Sequence, residues 1–313
     1  MKLRVVRFFF CVAMVASFLY GCKQKIVEGP NDTLTSGSIN IVVDESFRPV
    51  IETQIEQFER LFPEAHIKAS YLPEASCLKE LFYNDSIRMA IVTRYPTAKE
   101  EKFLAGKLEY LPKSDKIAND AVTIIVNTNS SDTLYTKQQL KDLLQGKTKS
   151  NKKIVFDGLN TTSTVRYITD SILGGQALDT SIVKAAVNSQ AVIDFVASNA
   201  EAIGLLGLSW VGNPEKEDQV KMLDKIKIAY MQCEVCDDQP YVKPMQQSII
   251  TRRYPLVRGL YFILKENFNG LGSGFSNFLR LEKGQLIFRR SYLSPVMDFD
   301  VRKVFIDTSS LGK

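Results

Sequence analysis

The stretch "INIVVDESFRPVIETQIEQFERLFP", Ile39 to Pro63, passes from a short apolar run through an acidic, hydroxyl-bearing turn into a helical pattern. Ile39, Ile41, Val42 and Val43 form a run too short and too β-branched for a helix, so it reads as a strand. Beyond Pro49 the period changes. Val50, Ile51, Ile55, Phe58 and Leu61 fall on one helical face before Pro63 stops it. A strand that turns straight into an amphipathic helix is the first half of a βαβ unit. The next segments supply the rest: "HIKASYL" and "MAIVTR" read as strands, with the helix "CLKELFYN" between them. Such units build parallel sheets with right-handed crossovers.

The alternation continues. "DAVTIIVNTN" is a long β-branched run, "TKQQLKDLLQG" a helix and "KIVFDG" a strand; "SQAVIDFVASN" and "AIGLLGLSWV" repeat the helix and strand order. The economical fold class is α/β in two lobes, each a mostly parallel sheet flanked by helices. Two crossover segments then join the lobes, with "DAVTIIVNTN" the first of them. The expected boundaries are residues 38–124 plus 238–313 for the first lobe and 125–237 for the second, with hinges near 121–128 and 225–250. No tandem repeat or low-complexity segment interrupts this pattern.

Lys2, Arg4 and Arg7 precede the apolar run "FFFCVAMVASFLYGC", which has the charge and length of a signal peptide rather than a membrane span. Residues 1–21 are therefore read as a signal segment and 22–37 as a flexible tether broken by Gly and Pro. Removing the signal segment leaves 37 Lys and Arg against 35 Asp and Glu, a balance that gives no argument for nucleic acid. Three further cysteines are sparse: Cys77, and Cys233 and Cys236 in "CEVC". The close pair is read as a local disulfide or two packed thiols. A zinc site would have to recruit Cys77 and the single histidine, His66, from distant sequence, so no metal and no cofactor is expected.

In open α/β sheets ligands collect at the carboxyl ends of strands, beside helix N-termini. Three loops qualify: Asp44 to Phe47 after the first strand, Thr93 to Pro96 after the third, and "FDGLNTTSTVRYI", residues 156 to 168. The last carries Asn160, Thr162, Ser163 and Thr164 into a helix whose free amides attract anions, with Arg166 one turn on. Its ordinary alternative is a plain N-cap with spare hydroxyls. The loops come from both lobes, so a cleft between them would be lined by hydroxyls, helix ends, Arg94 and Arg166.

Several stretches together resemble the phosphate-binding proteins of bacterial ABC importers. They are "SINIVVDESFRPVIETQIEQFE", "AIVTRYP", "NTTST", "AVIDFVASNAEAIGLLGLSWV", "YPLVRGLYFIL" and "FSNFLRLEKGQLIFRRSYLSPV", and the similarity spans residues 38 to 296. The late pair, Tyr-Pro-Leu before a strand and "EKGQLI" before "YLSPV", carries most of it. The resemblance implies a type II periplasmic binding protein, with two α/β lobes closing on a tetrahedral oxyanion. It places Ser46 and the backbone of Phe47 at the family's first-lobe anion site. Thr162, Ser163 and Thr164 fall on its Ser-Gly-Thr. The charged positions depart: Arg94 stands where the family has an aspartate, and Gly158 where it has an arginine. Asp44 or Glu45 could restore the carboxylate, and Arg94 with Arg166 the positive charge. The sequence Leu19-Tyr20-Gly21-Cys22 resembles the bacterial lipobox, which implies a lipid on Cys22.

The function this implies is capture of inorganic phosphate, or a similar oxyanion, for delivery to ABC permease subunits, by a protein tethered in the bacterial envelope and facing the periplasm. One alternative is an anion sensor with no transport role. The other is a Ser or Thr hydrolase, for which a base is wanting, since His66 lies away from the hydroxyl cluster. No catalytic residue is assigned.

Overall fold

The computed structural model describes residues 32–299 except 149 and 159–161. The signal segment, Cys22, most of the tether and Asn160 lie outside the described residues. The opening stretch folds as its pattern dictates. Strand β1 (Gly37–Asp44) leads through a single 3-10 turn into the helix Arg48–Leu61, which starts with Pro49 in its first turn. That helix buries Val50, Ile51, Ile55 and Phe58, each contributing about 1.5–3 kcal/mol relative to exposure. Leu61, expected on the same face, is 42% exposed, at the last residue of the helix.

The remaining strands are β2 (Ala65–Leu72), β3 (Ile87–Val92), β4 (Lys113–Asn127), β5 (Leu134–Tyr135), β6 (Lys153–Phe156), β7 (Val183–Ala185), β8 (Ala202–Gly207), β9 (Ile226–Ile228), β10 (Tyr230–Gln232), β11 (Tyr241–Val242), β12 (Val257–Leu264) and β13 (Ser294–Pro295). The main sheet runs β2-β1-β3-β12-β4-β8-β6-β7, with β9 and β13 also pairing β4. β1 pairs β2 and β3 in parallel, as β6 pairs β7 and β8, so each lobe has the expected parallel half. β12 and β4 join these halves by antiparallel pairing. One apolar cluster joins Ile41, Phe47, Phe58, Leu260, Phe275 and Phe288; a second joins Val122, Phe156, Ile168, Leu205, Tyr254 and Val257.

The first connection between lobes falls at the start of the expected 121–128 segment, and the second differs from the expected one. β4 pairs β12 up to Ala121 and β8 from Val122 onward, so it leaves the first lobe in mid-strand. The return comes later than residue 250. Tyr254, Leu256 and Val257 pack in the second core and Leu260 in the first, so the chain from 238 to 257 goes with the second lobe. The reason is the small sheet β11-β10-β5, which holds this segment against the second lobe and is stapled by a Cys233–Cys236 disulfide. His66 is an exposed residue on the edge strand β2.

Candidate functional site

Both passages between lobes meet at one point. Val257 stands opposite Ala121, and Arg258 opposite Asp120, in the β12–β4 register. Arg258 is 3% exposed, and its Nε donates to Asp120 Oδ2 at 2.9 Å. Its NH1 donates to Ser163 Oγ at 2.9 Å and Thr164 Oγ1 at 3.4 Å, and the Phe47 ring lies 5.0 Å from its guanidinium carbon. Gly207 permits this packing: a Cβ there would lie 3.0 Å from Arg258 NH2 and 3.1 Å from the Ser46 carbonyl.

The hydroxyls reach this guanidinium through ordinary local structure. The turn after β1 is closed by Asp44, whose Oδ1 accepts from the Ser46 amide at 3.1 Å. The helix Ser163–Ser171 is capped by Thr162, whose side chain accepts from the Val165 amide, and its first turn buries Ser163 and Thr164. Ser46 Oγ donates to Asp157 Oδ2 at 3.2 Å and lies 3.4 Å from Ser163 Oγ and 3.5 Å from Thr164 Oγ1. Thr164 Oγ1 donates to the same Asp157 oxygen at 3.3 Å. Ser46 thus belongs to the first lobe, Asp157, Ser163 and Thr164 to the second, and Asp120 and Arg258 to the strands between them.

The charge balance is uneven. Asp44, Asp120 and Asp157 are buried around one guanidinium. Burial, reinforced by the charge of Glu74, pushes Asp44 up to about 7, while Arg258 pulls it down. Burial also raises Asp157 and Asp120, against opposing hydrogen bonds and the charge of Arg258. Asp44 Oδ2, Asp120 Oδ1, Asp157 Oδ1 and Arg258 NH2 have no hydrogen-bond partner among the described residues.

The two arginines singled out in the sequence go elsewhere. Arg94 does not enter the cluster; it donates to both carboxylate oxygens of Glu100 at 2.7 and 2.8 Å and to the Tyr95 carbonyl. Glu100 is itself fixed in a capping box with Thr97, so the partner is near and rigid. Arg166 crosses between lobes at the rim. Its Nε donates to Glu74 Oε2 at 2.6 Å and its NH2 to Thr93 Oγ1 at 2.7 Å. Burial would raise Glu74, yet Arg166 and Thr93 hold it below its ordinary value. Gly158 offers no room for the missing arginine, since a Cβ there would meet Thr162 Cγ2 at 2.7 Å. Arg258, which sequence reasoning passed over, supplies a guanidinium from a different strand. Glu45 completes the first-lobe turn by accepting from Ser189 Oγ at 2.8 Å, at the start of the helix Ser189–Ser198. The chemistry on offer is that of an interlobe surface with hydroxyl donors, one guanidinium and acceptor carboxylates, suited to a small oxygen-rich ligand.

Comparison with known proteins agrees with this architecture. Residues 29–282 match the PBP superfamily domain. No curated protein matches the chain. A structure described as a phosphate ABC transporter substrate-binding protein of Clostridium perfringens, with bound phosphate, is 20% identical at a TM-score of 0.68. That alignment covers 83% of this chain and 100% of the other. An ABC-type phosphate transport receptor from Vibrio cholerae is 15% identical at 0.59, again over 83% and 100%. PstS from Borrelia burgdorferi is 16% identical at 0.50, over 84% and 100%. These likenesses carry the fold, and the match over residues 29–282 carries the family: the chain belongs to the PBP superfamily.

Proposed function

We propose that the protein captures inorganic phosphate between its lobes and delivers it to the permease of an ABC importer, held in the bacterial envelope by a lipid on Cys22. The observation that carries this reading is the cluster in which the buried Arg258 donates to the hydroxyls of Ser163 and Thr164 from the second lobe, with Ser46 Oγ of the first lobe 3.4 Å from Ser163 Oγ. A guanidinium and hydroxyls in a site shielded from water make charge-assisted bonds to a tetrahedral oxyanion of about 1.5–3 kcal/mol each. The phosphate-binding neighbours share the two-lobed frame in which such a cleft can close. The reading is of binding rather than catalysis: the hydroxyls are held by Arg258 and Asp157 in a buried network, and the single histidine, His66, is exposed on the edge strand β2 away from them.

Equilibrium dialysis with radiolabelled phosphate tests it. Saturable retention by the wild-type protein is expected, and a protein that retains none at any phosphate concentration overturns the proposal. The same preparation tests the anchor: Cys22→Ser should leave the membrane fraction, and unchanged retention there would refute lipidation.

A further inference from the structure

We propose that Glu74 is a positioning residue that latches the second lobe through Arg166, so that this pair, and not only the bonds to the anion, sets how fast bound phosphate leaves. The inference rests on the phosphate reading above and adds a release-controlling contact outside the ligand cluster.

Glu74 opens the helix Glu74–Tyr83 of the first lobe, and its side chain is 3% exposed. Thr93, directly after β3, holds it in place: the Thr93 amide donates to Glu74 Oε1 at 2.8 Å and the Thr93 hydroxyl to the same oxygen at 2.6 Å. Acid and threonine belong to one lobe, so the carboxylate is aimed before the other lobe arrives. From the second lobe, Arg166 Nε donates to Glu74 Oε2 at 2.6 Å and its NH2 to Thr93 Oγ1 at 2.7 Å. Burial alone would raise Glu74, but the bonds from Arg166 and Thr93 outweigh it and keep the acid charged where the pair forms. Among the described residues this is the one ion pair that runs directly from lobe to lobe, since Arg258–Asp120 lies within the joining strands.

Arg166 also has a partner on its own helix. Its NH1 donates to Asp170 Oδ2 at 3.5 Å, one turn on, where the acid is exposed. When the lobes part, Arg166 travels with Asp170 and leaves Glu74 to Thr93. The guanidinium is thus poised between an acid of its own helix and one across the cleft, which gives the latch two states. The interlobe state is the stronger, because Glu74 is oriented and shielded, whereas an exposed pair one turn apart contributes little. Opening must break the stronger pair, so the latch adds to the barrier against release.

Charge and latch predict opposite signs for one variant. Glu74 is an anion beside the proposed anion site, close enough to act on the charge of Asp44. By charge alone, neutralising it would make phosphate stay longer. As a latch, neutralising it frees Arg166 and makes phosphate leave sooner.

Radiolabelled phosphate bound to the protein and chased with excess unlabelled phosphate gives the release rate. Glu74→Gln, once its melting curve shows it folded, should release phosphate about tenfold faster than wild type. Thr93→Val, which changes no charge but removes the hydroxyl that orients the pair, should hasten release as well. Asp170→Asn, which removes the competing partner, should slow it. Release from Glu74→Gln at or below the wild-type rate would overturn the latch while leaving phosphate capture standing. Should that variant not fold, Asp170→Asn decides, because the residue it changes is exposed, and release no slower than wild type overturns the inference. Failure of the wild-type protein to retain phosphate would sink the parent reading and this one with it.

Discussion

Asp44 shows how a single buried residue sets a pH dependence. Its carboxyl, ordinarily at 3.8, is pushed up to about 7 by burial and by Glu74. Between those values the native state holds a proton that the unfolded chain has released, so this residue's contribution to stability falls as pH rises through the window. Asp44→Asn removes the titration. Its melting temperature relative to wild type should therefore rise from the acid side of the window to the alkaline side, and a constant difference would show that Asp44 titrates normally. At this scale legibility was uneven. Ser46, Ser163 and Thr164 could be named because strand ends and caps announce themselves in residue type. Arg258 could not, since it is the second residue of the strand "VRGLYFIL", where an arginine looks like an outward strand position. Its meaning comes from Asp120 across the ladder, and pairing is not written in either strand alone. Arg94 was misleading for the opposite reason. Its partner, Glu100, was visible as the end of a Thr97-x-x-Glu100 cap, six residues away.

Within the helix Ser163–Ser171 the neighbouring hydroxyls divide their labour. Thr162 caps the helix by accepting from the Val165 amide, whereas Thr164 turns to Arg258 and Asp157. Thr162→Val should therefore lower stability by about 1 kcal/mol through loss of the cap. Thr164→Val should weaken phosphate binding roughly tenfold, the equivalent of one such bond, by the usual conversion of 1.4 kcal/mol. Melting curves and dialysis on the two variants separate these effects, and the reverse pattern would show that the cap and the ligand contact had been assigned to the wrong residues. The sequence presented this element as either a cap or an anion site. The geometry shows the cap: Thr162 spends its hydroxyl on the Val165 amide, while Ser163 and Thr164 turn to Arg258, as the proposed function requires.

At the scale of the molecule, βα alternation made the two lobes readable, because apolar period and turn chemistry act locally. The return between them was not readable. It depends on β10 and β11 pairing with β5 and on Tyr254 and Leu256 packing in the second core, contacts far apart in sequence. The passages meet at Asp120 and Arg258, so the strands that join the lobes also carry residues of the proposed ligand surface. Across the cleft Ser209 Oγ donates to the Ser46 carbonyl at 2.7 Å, and the indole Nε1 of Trp210 donates to the Glu45 carbonyl at 3.4 Å. The chain has a single tryptophan, so its fluorescence reports on the surroundings of this one contact. Titrating the protein with phosphate while recording Trp210 emission asks directly whether the lobes close on the anion. A saturable change in emission, with a midpoint equal to the dissociation constant from dialysis, is expected. Emission that stays constant while dialysis shows phosphate bound would contradict closure between the lobes.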